Sequence, residues 1–253
     1  MNQGFPEAIW YPSPNFGYGS RPWNYGKVGR PGDQPIRVVM AHTTEINSKQ
    51  GSLNSLSNVP LDRGLDSAHY LVAEDSVYQL VDDRNVAWHG GSPNSYTIGI
   101  ETVGRAGSAS TWSPGIIRNW GRLAGWLSWA YQIPLDYIGG ALGRPERPIP
   151  DRAFVAHGAY SSNRSDPGVF FPWPLIRQEA VSYLDQTSTS AMMAGLDPSQ
   201  ITQPPLQGHP QEPTPTEPPP GPAAPPPQVA GAPAGPVLGL LLGAVALAWW
   251  ANK

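Results

Sequence analysis

The sequence predicts an α/β domain with a mixed central β-sheet flanked by helices, followed by a proline-rich stalk and a short apolar C-terminal helix. Three observations carry this. Short β-rich runs and helical patterns are interspersed through roughly the first 185 residues. Fourteen of the 31 prolines fall between Pro204 and Pro236, where neither helix nor sheet can bury a core. The segment 237–251 then holds 15 uncharged, mostly apolar residues.

The elements follow in order. Residues 1–36 are rich in Pro, Gly and aromatics, among them Trp10, Tyr11, Phe16, Tyr18, Trp23 and Tyr25. They read as an ordered irregular arm whose rings either pack on the domain or line a groove. The domain proper is expected over 37–186. Residues 36–41 (IRVVMA) form a buried strand. Residues 51–65 are a polar loop or short helix. Residues 68–72 (AHYLV) and 77–81 (VYQLV) flank a turn and predict a hairpin. Residues 96–103 (YTIGIETV) are a further strand, ended by a Gly-containing loop. The strongest helix spans 114–132, with Trp120, Leu123, Leu127 and Tyr131 on one face. Residues 153–156 (AFVA) are a last strand, and 173–184 a closing helix with Pro172 and Pro174 at its start.

Residues 187–236 read as a disordered polyproline-II stalk, on the order of 100 Å long for its Pro-rich part if fully extended at ~3.1 Å per residue. As a helix, 237–251 would span about 22 Å, short of a ~30 Å hydrocarbon core. Trp249, Trp250 and Lys253 match an interfacial anchor. Membrane insertion is the favoured reading of this tail, and a self-associating or partner-binding tail the other. No basic leader followed by an apolar run opens the chain, so no secretory signal is expected.

Composition excludes several function classes. Residues 1–190 carry 15 basic and 16 acidic side chains, which is not the footprint of a nucleic-acid binder. The chain has no cysteine, so thiol catalysis, disulfides and cysteine-ligated metals are excluded. Any metal site must use His, Asp or Glu.

Five histidines occur, at 42, 69, 89, 157 and 209, the last within the stalk. His42 and His157 each follow a predicted strand directly, where α/β enzymes place their sites. Asp166 comes nine residues after His157, in a loop whose Pro167 and Gly168 favour a turn. Two imidazoles and a carboxylate, with a fourth position left open, is the donor pattern of catalytic zinc. The other reading is a pair of ordinary strand-end histidines. Glu101 ends the run 98–100 (IGI) and points either to solvent or into a site, where it could move protons as a general base and acid.

Five segments then resemble one family in its order and spacing: 38–44 (VVMAHTT), 66–72 (DSAHYLV), 86–90 (VAWHG), 94–101 (NSYTIGIE), and His157 through Asp166, Pro167 and Gly168. Together they are similar to the zinc-dependent N-acetylmuramoyl-L-alanine amidases of the amidase-2 type, which share a fold with phage amidase lysozymes and peptidoglycan recognition proteins. The resemblance covers roughly residues 36–185. The opening segment 10–15 (WYPSPN) also resembles the start of amidase lysins from phages of actinobacteria.

The resemblance implies one catalytic zinc ion held by His42, His157 and Asp166, and Glu101 as the residue that activates water. Arg164 falls where many relatives carry a lysine that stabilises the tetrahedral intermediate. Arginine can hold an oxyanion but stays charged and donates protons poorly. His69, Trp88 and His89 match groove positions near the metal, and Asn94 and Thr44 are candidates to orient ligands or substrate. Ala68 stands where some phage relatives have a tyrosine, so that role is not carried over. The implied reaction cleaves the amide between N-acetylmuramic acid and L-alanine of peptidoglycan. The expected setting is a phage endolysin with a monomeric catalytic domain, made in the host cytoplasm and acting on the cell wall, with 237–251 as a membrane tether. A non-catalytic peptidoglycan-recognition module and a membrane-anchored bacterial remodelling amidase are the alternatives.

Overall fold

The computed structural model describes residues 4–17, 28–57 and 66–193, all within a compact unit of Met1–Leu206. Tyr18, Trp23 and Tyr25 of the arm, His209, the stalk beyond Met193 and the apolar tail lie outside the described residues. Among the described residues no helix is long and apolar enough to cross a membrane.

Seven strands form the main sheet: β1 (Ile9–Trp10), β2 (Val38–Ala41), β3 (Tyr70–Val72), β4 (Val77–Gln79), β5 (Thr97–Thr102), β6 (Tyr137–Ile138) and β9 (Ala153–Ala156). Their order is β1-β4-β3-β5-β2-β9-β6. The β3–β4 hairpin is antiparallel, and the other neighbouring pairs are parallel. A separate small hairpin joins β7 (Gly140–Ala141) to β8 (Arg144–Pro145). All four residues of β2 and of β9 are buried, which is why their sequences are continuously apolar rather than alternating.

Helices cover the faces. α2 (Pro114–Tyr131) starts where the Ser113 hydroxyl accepts the Ile116 N–H, and ends at Gln132 in the left-handed region at φ 53°. Its Trp120, Leu123 and Leu127 pack with Val39, Ile98, Ile100 and Phe154 of the sheet. Tyr131 is half-buried, and its hydroxyl donates to Asp83 Oδ2 at 2.8 Å. α4 (Trp173–Met193) adds Ile176 and Ala180 to the same cluster. Gly121 and Gly125 let the two helices approach: a Cβ at Gly125 would lie 2.8 Å from the Ala180 carbonyl oxygen. α1 (Lys49–Ser57) contributes Leu53 and Leu56 to a second cluster with Leu71 and Leu80. A third cluster joins Val38, Met40 and Val155.

Three features differ from the sequence reading. The arm is not wholly irregular, since Ile9–Trp10 pairs in parallel with β4 and Phe5 is buried among Trp126 and Tyr183. Helix α4 continues through 187–193, residues read above as stalk, because no proline or glycine interrupts that stretch. β6, β7 and β8 were not foreseen, as two-residue strands are too short to show a period.

Candidate metal centre and active site

Strands β5, β2 and β9 lie side by side, and Ala41 is in register with Ile100 on one side and Ala156 on the other. The next residue along each strand is Glu101, His42 and His157. The register persists past the strand end: the His42 N–H donates to the Ile100 carbonyl at 2.8 Å, and the Thr102 N–H donates to the His42 carbonyl at 3.1 Å. Register partners leave a sheet on the same face, so His42 and Glu101 open onto one side at the C-terminal ends of the strands. His157 is the first residue of the short helix α3 (His157–Tyr160).

Asp166 returns to this row from the loop after α3. The Gly158 N–H donates to the Asp166 carbonyl at 3.0 Å, and the Leu142 N–H to the Arg164 carbonyl at 2.8 Å. The small β7–β8 hairpin thereby buttresses the ligand loop. Gly168 has a φ of +88°, and any Cβ there would overlap the carbonyl of Ala106, so this turn requires glycine. The peptide bond between Asp166 and Pro167 is cis.

His42 Nδ1 lies 2.9 Å from Asp166 Oδ2, and His157 Nδ1 lies 3.3 Å from the same oxygen. One ligand atom from each of the three residues falls within 4.8 Å of the others, so one small ion could touch all three. Electrostatics suit a cation. Burial, reinforced by the neighbouring His157, pushes the His42 imidazole down to about 4, leaving it neutral at pH 7. Burial opposes ionisation of Asp166, yet the hydrogen bonds and charge of His157 and His42 outweigh it and hold the carboxyl well below its ordinary range. Two imidazole nitrogens and one carboxylate oxygen fit zinc among the divalent ions. Glu101 is half-buried on β5, next to His42. Arg164 is half-buried two residues before Asp166, and its charge acts on His42.

The residues read as groove positions divide differently. His69 is fully buried: its Nδ1 accepts the Gly99 N–H at 3.0 Å and its Nε2 lies 3.2 Å from the Asn85 carbonyl. It joins strands rather than lining a groove. Trp88 is buried too, donating from Nε1 to the Gly17 carbonyl at 2.5 Å. The Thr44 hydroxyl is buried against Ser52 Oγ and the Ile46 and Thr102 carbonyls. Asn94 uses Oδ1 to accept the N–H of Gly90 at 2.7 Å and of His89 at 3.4 Å, so it shapes a loop. All four are buried, and the polar atoms named here meet backbone or neighbouring hydroxyl groups. His89 alone of the five meets the centre, with Nδ1 at 3.1 Å from His42 Nε2.

The comparisons with known proteins decide the family. The N-acetylmuramoyl-L-alanine amidase profile, Amidase_2, matches residues 32–169. N-acetylmuramoyl-L-alanine amidase A of Achromobacter lyticus is 33% identical over 175 residues, which cover 67% of this chain and 90% of the relative. The chain belongs to this amidase family. Its fold also resembles that of a selenomethionine derivative of AmpD, at 18% identity and a TM-score of 0.52, with 71% of this chain and 97% of that one covered. The amidase is accordingly an N-acetylmuramoyl-L-alanine amidase acting on peptidoglycan.

The structure also brings in polar residues that the sequence did not single out. Arg30 is sunk beneath the 92–97 turn, where the carbonyls of Asp83, Asn94, Ser95 and Thr97 accept from its guanidinium at 2.9–3.2 Å. The Asp83 carboxylate accepts hydroxyls from Tyr70 at 2.9 Å and Tyr131 at 2.8 Å. Burial lifts its pKa to about 7 against the pull of these bonds and of Arg30. Glu45 Oε1 accepts the Ala106 N–H at 2.9 Å, tying the 104–106 loop to the segment after His42. Little local marks these residues, because key partners lie far along the chain: Thr97 is 67 positions from Arg30, Ala106 is 61 from Glu45 and Tyr131 is 48 from Asp83.

Proposed function

We propose that this amidase is zinc-dependent, with His42, His157 and Asp166 holding one ion. The convergence of both Nδ1 atoms on one Asp166 oxygen is the observation that carries the reading. When bound, zinc lowers the pKa of water and polarises the amide carbonyl. The chain's own groups do the rest. Glu101, beside His42, takes the proton of the attacking water and returns it to the departing L-alanine nitrogen. Arg164 stabilises the oxyanion as a fixed positive charge and transfers no proton. The cut releases stem peptides with a free L-alanine amino group from the lactyl group of N-acetylmuramic acid.

The setting we propose is lysis by a phage endolysin. The Pro-rich stretch and the 15 uncharged residues of 237–251 suit a stalk and membrane tether that let the catalytic domain reach the wall.

Digestion of purified peptidoglycan by the full chain, followed by mass spectrometry, tests the chemistry. Stem peptides beginning with L-alanine should appear, vanish on chelation and return with zinc. Undiminished release after complete chelation, or products cut elsewhere, would overturn the reading.

A further inference from the structure

His89 stands between a proposed metal ligand and the start of β5. Its Nδ1 is 3.1 Å from His42 Nε2, and its Nε2 is 3.1 Å from the Thr97 hydroxyl. The contacts continue through His42, whose Nδ1 is 2.9 Å from Asp166 Oδ2. Four side chains from separate segments thus form one line: Thr97, His89, His42, Asp166.

The line is built into the fold. A Cβ at Gly99 would lie 2.6 Å from His89 Nδ1, so only glycine leaves space for that ring over β5. Asn94 holds the His89 backbone by accepting its N–H. His69, whose ring centroid is 5.7 Å away, packs against it edge-on. The ring therefore has a fixed place, and what it can vary is which nitrogen carries the proton.

Each neutral imidazole has one donor nitrogen and one acceptor, and a hydroxyl can be either. The line can consequently run in two directions. In one, Thr97 donates to His89, His89 Nδ1–H donates to His42, and His42 Nδ1–H donates to Asp166. In the other, His42 Nε2–H donates to His89 Nδ1 and His89 Nε2–H donates to Thr97, which leaves the His42 Nδ1 lone pair bare. Each ring keeps one proton in both, so reversal creates no buried charge. Only the second direction frees the nitrogen that faces Asp166 to bind a cation.

We propose that His89, backed by Thr97, is a positioning residue that sets the tautomer of His42 and reverses with it when the metal enters. This rests on the zinc reading of His42, His157 and Asp166. A histidine suits the position because it can serve both directions, whereas a carboxylate or a backbone carbonyl could only accept.

The test uses the full chain labelled with ¹⁵N-histidine and long-range ¹H–¹⁵N spectra, which report ring tautomers, together with zinc affinity by chelator competition. Metal-free protein should show His42 and His89 as Nδ1–H forms, and the zinc-loaded protein should show both as Nε2–H forms. H89A should bind zinc about 10–100-fold more weakly. H89N places an amide oxygen near the Nδ1 position and should recover most of that loss. T97V keeps the His89 ring, covers the case in which H89A does not fold, and should leave His89 in mixed tautomers with reduced affinity. The proposal is overturned if His42 keeps one tautomer in both states, if folded H89A or T97V binds zinc like the wild type, or if folded H89N is as weak as H89A. Loss of zinc binding in Asp166→Ala with indifferent His89 variants would sink this proposal alone. Failure of the wild type to bind zinc would sink the metal reading with it.

Discussion

Nδ1 of His42 lies 2.9 Å from Oδ2 of Asp166, although 124 positions separate them in the chain. The backbone of Asp166 is held independently by Gly158, so the carboxylate can be removed without releasing the loop. Asp166→Ala is expected to keep its fold while zinc affinity drops by more than about 100-fold, beyond the range for outer partners of a ligand. Calorimetric titration of the folded variant with zinc checks this, and near-wild-type affinity would remove Asp166 from the ligand set.

Arg164 separates charge stabilisation from proton transfer. Arg164→Ala should lower kcat by about 10²–10³-fold, the range for losing one oxyanion partner. Its zinc affinity should be unchanged. Arg164→Lys should retain most activity, since either side chain supplies the positive charge. A kcat for the alanine variant equal to the wild type would show that the oxyanion is held elsewhere.

The acid response of metal-free protein follows from its buried imidazoles. Burial first, and neighbouring charges second, lower His42 to about 4 and carry His69 and His89 well below 6.5. Unfolded histidines protonate near pH 6.5, so the unfolded chain gains protons first on acidification. This stability is present above about pH 6.5 and is lost as pH falls toward 4. Asp83 acts oppositely: its folded pKa of about 7 makes its contribution present near pH 4 and lost as pH rises through 7. Three imidazoles outweigh one carboxyl, so the Tm of chelated protein should fall from pH 7 to 5. Asp83→Asn should steepen that fall, and a Tm that rises on acidification would contradict the assignment.

At Gly121 the usual helix rule reverses. Gly→Ala in an exposed helix stabilises by roughly 0.5–1 kcal/mol. Here the added methyl would overlap Glu179 and lie 2.9 Å from the Ile176 carbonyl oxygen of α4. Gly121→Ala should therefore destabilise by about 1–3 kcal/mol through overpacking. Urea unfolding decides the sign.

Much of this was legible in the sequence because it is local or positional. Continuous apolar runs marked β2 and β9, the 3.6-residue period marked α2, and a histidine directly after each of two strands marked the centre. The length of α4 was underestimated because residues 185–190 are polar and carry no apolar stripe to follow. The surroundings of the groove candidates were not legible for a different reason. His69, Trp88, Thr44 and Asn94 are polar residues near the centre in sequence motifs, but whether a polar side chain faces a cleft or satisfies a buried backbone group depends on neighbours far along the chain. His69 answers to Gly99, and Trp88 to Gly17. His89 could be given its place only once Gly99 and Thr97 were seen to make room for its ring and to meet its second nitrogen.

The row formed by Glu101, His42 and His157, completed by Asp166, is the heart of the proposed mechanism. Anomalous diffraction at the zinc edge from crystals of the zinc-loaded protein tests it most directly. A single strong peak about 2.0–2.2 Å from His42 Nδ1, His157 Nδ1 and an Asp166 oxygen is the expected result. A peak at another cluster, or none at these three residues in fully loaded and active protein, would contradict it.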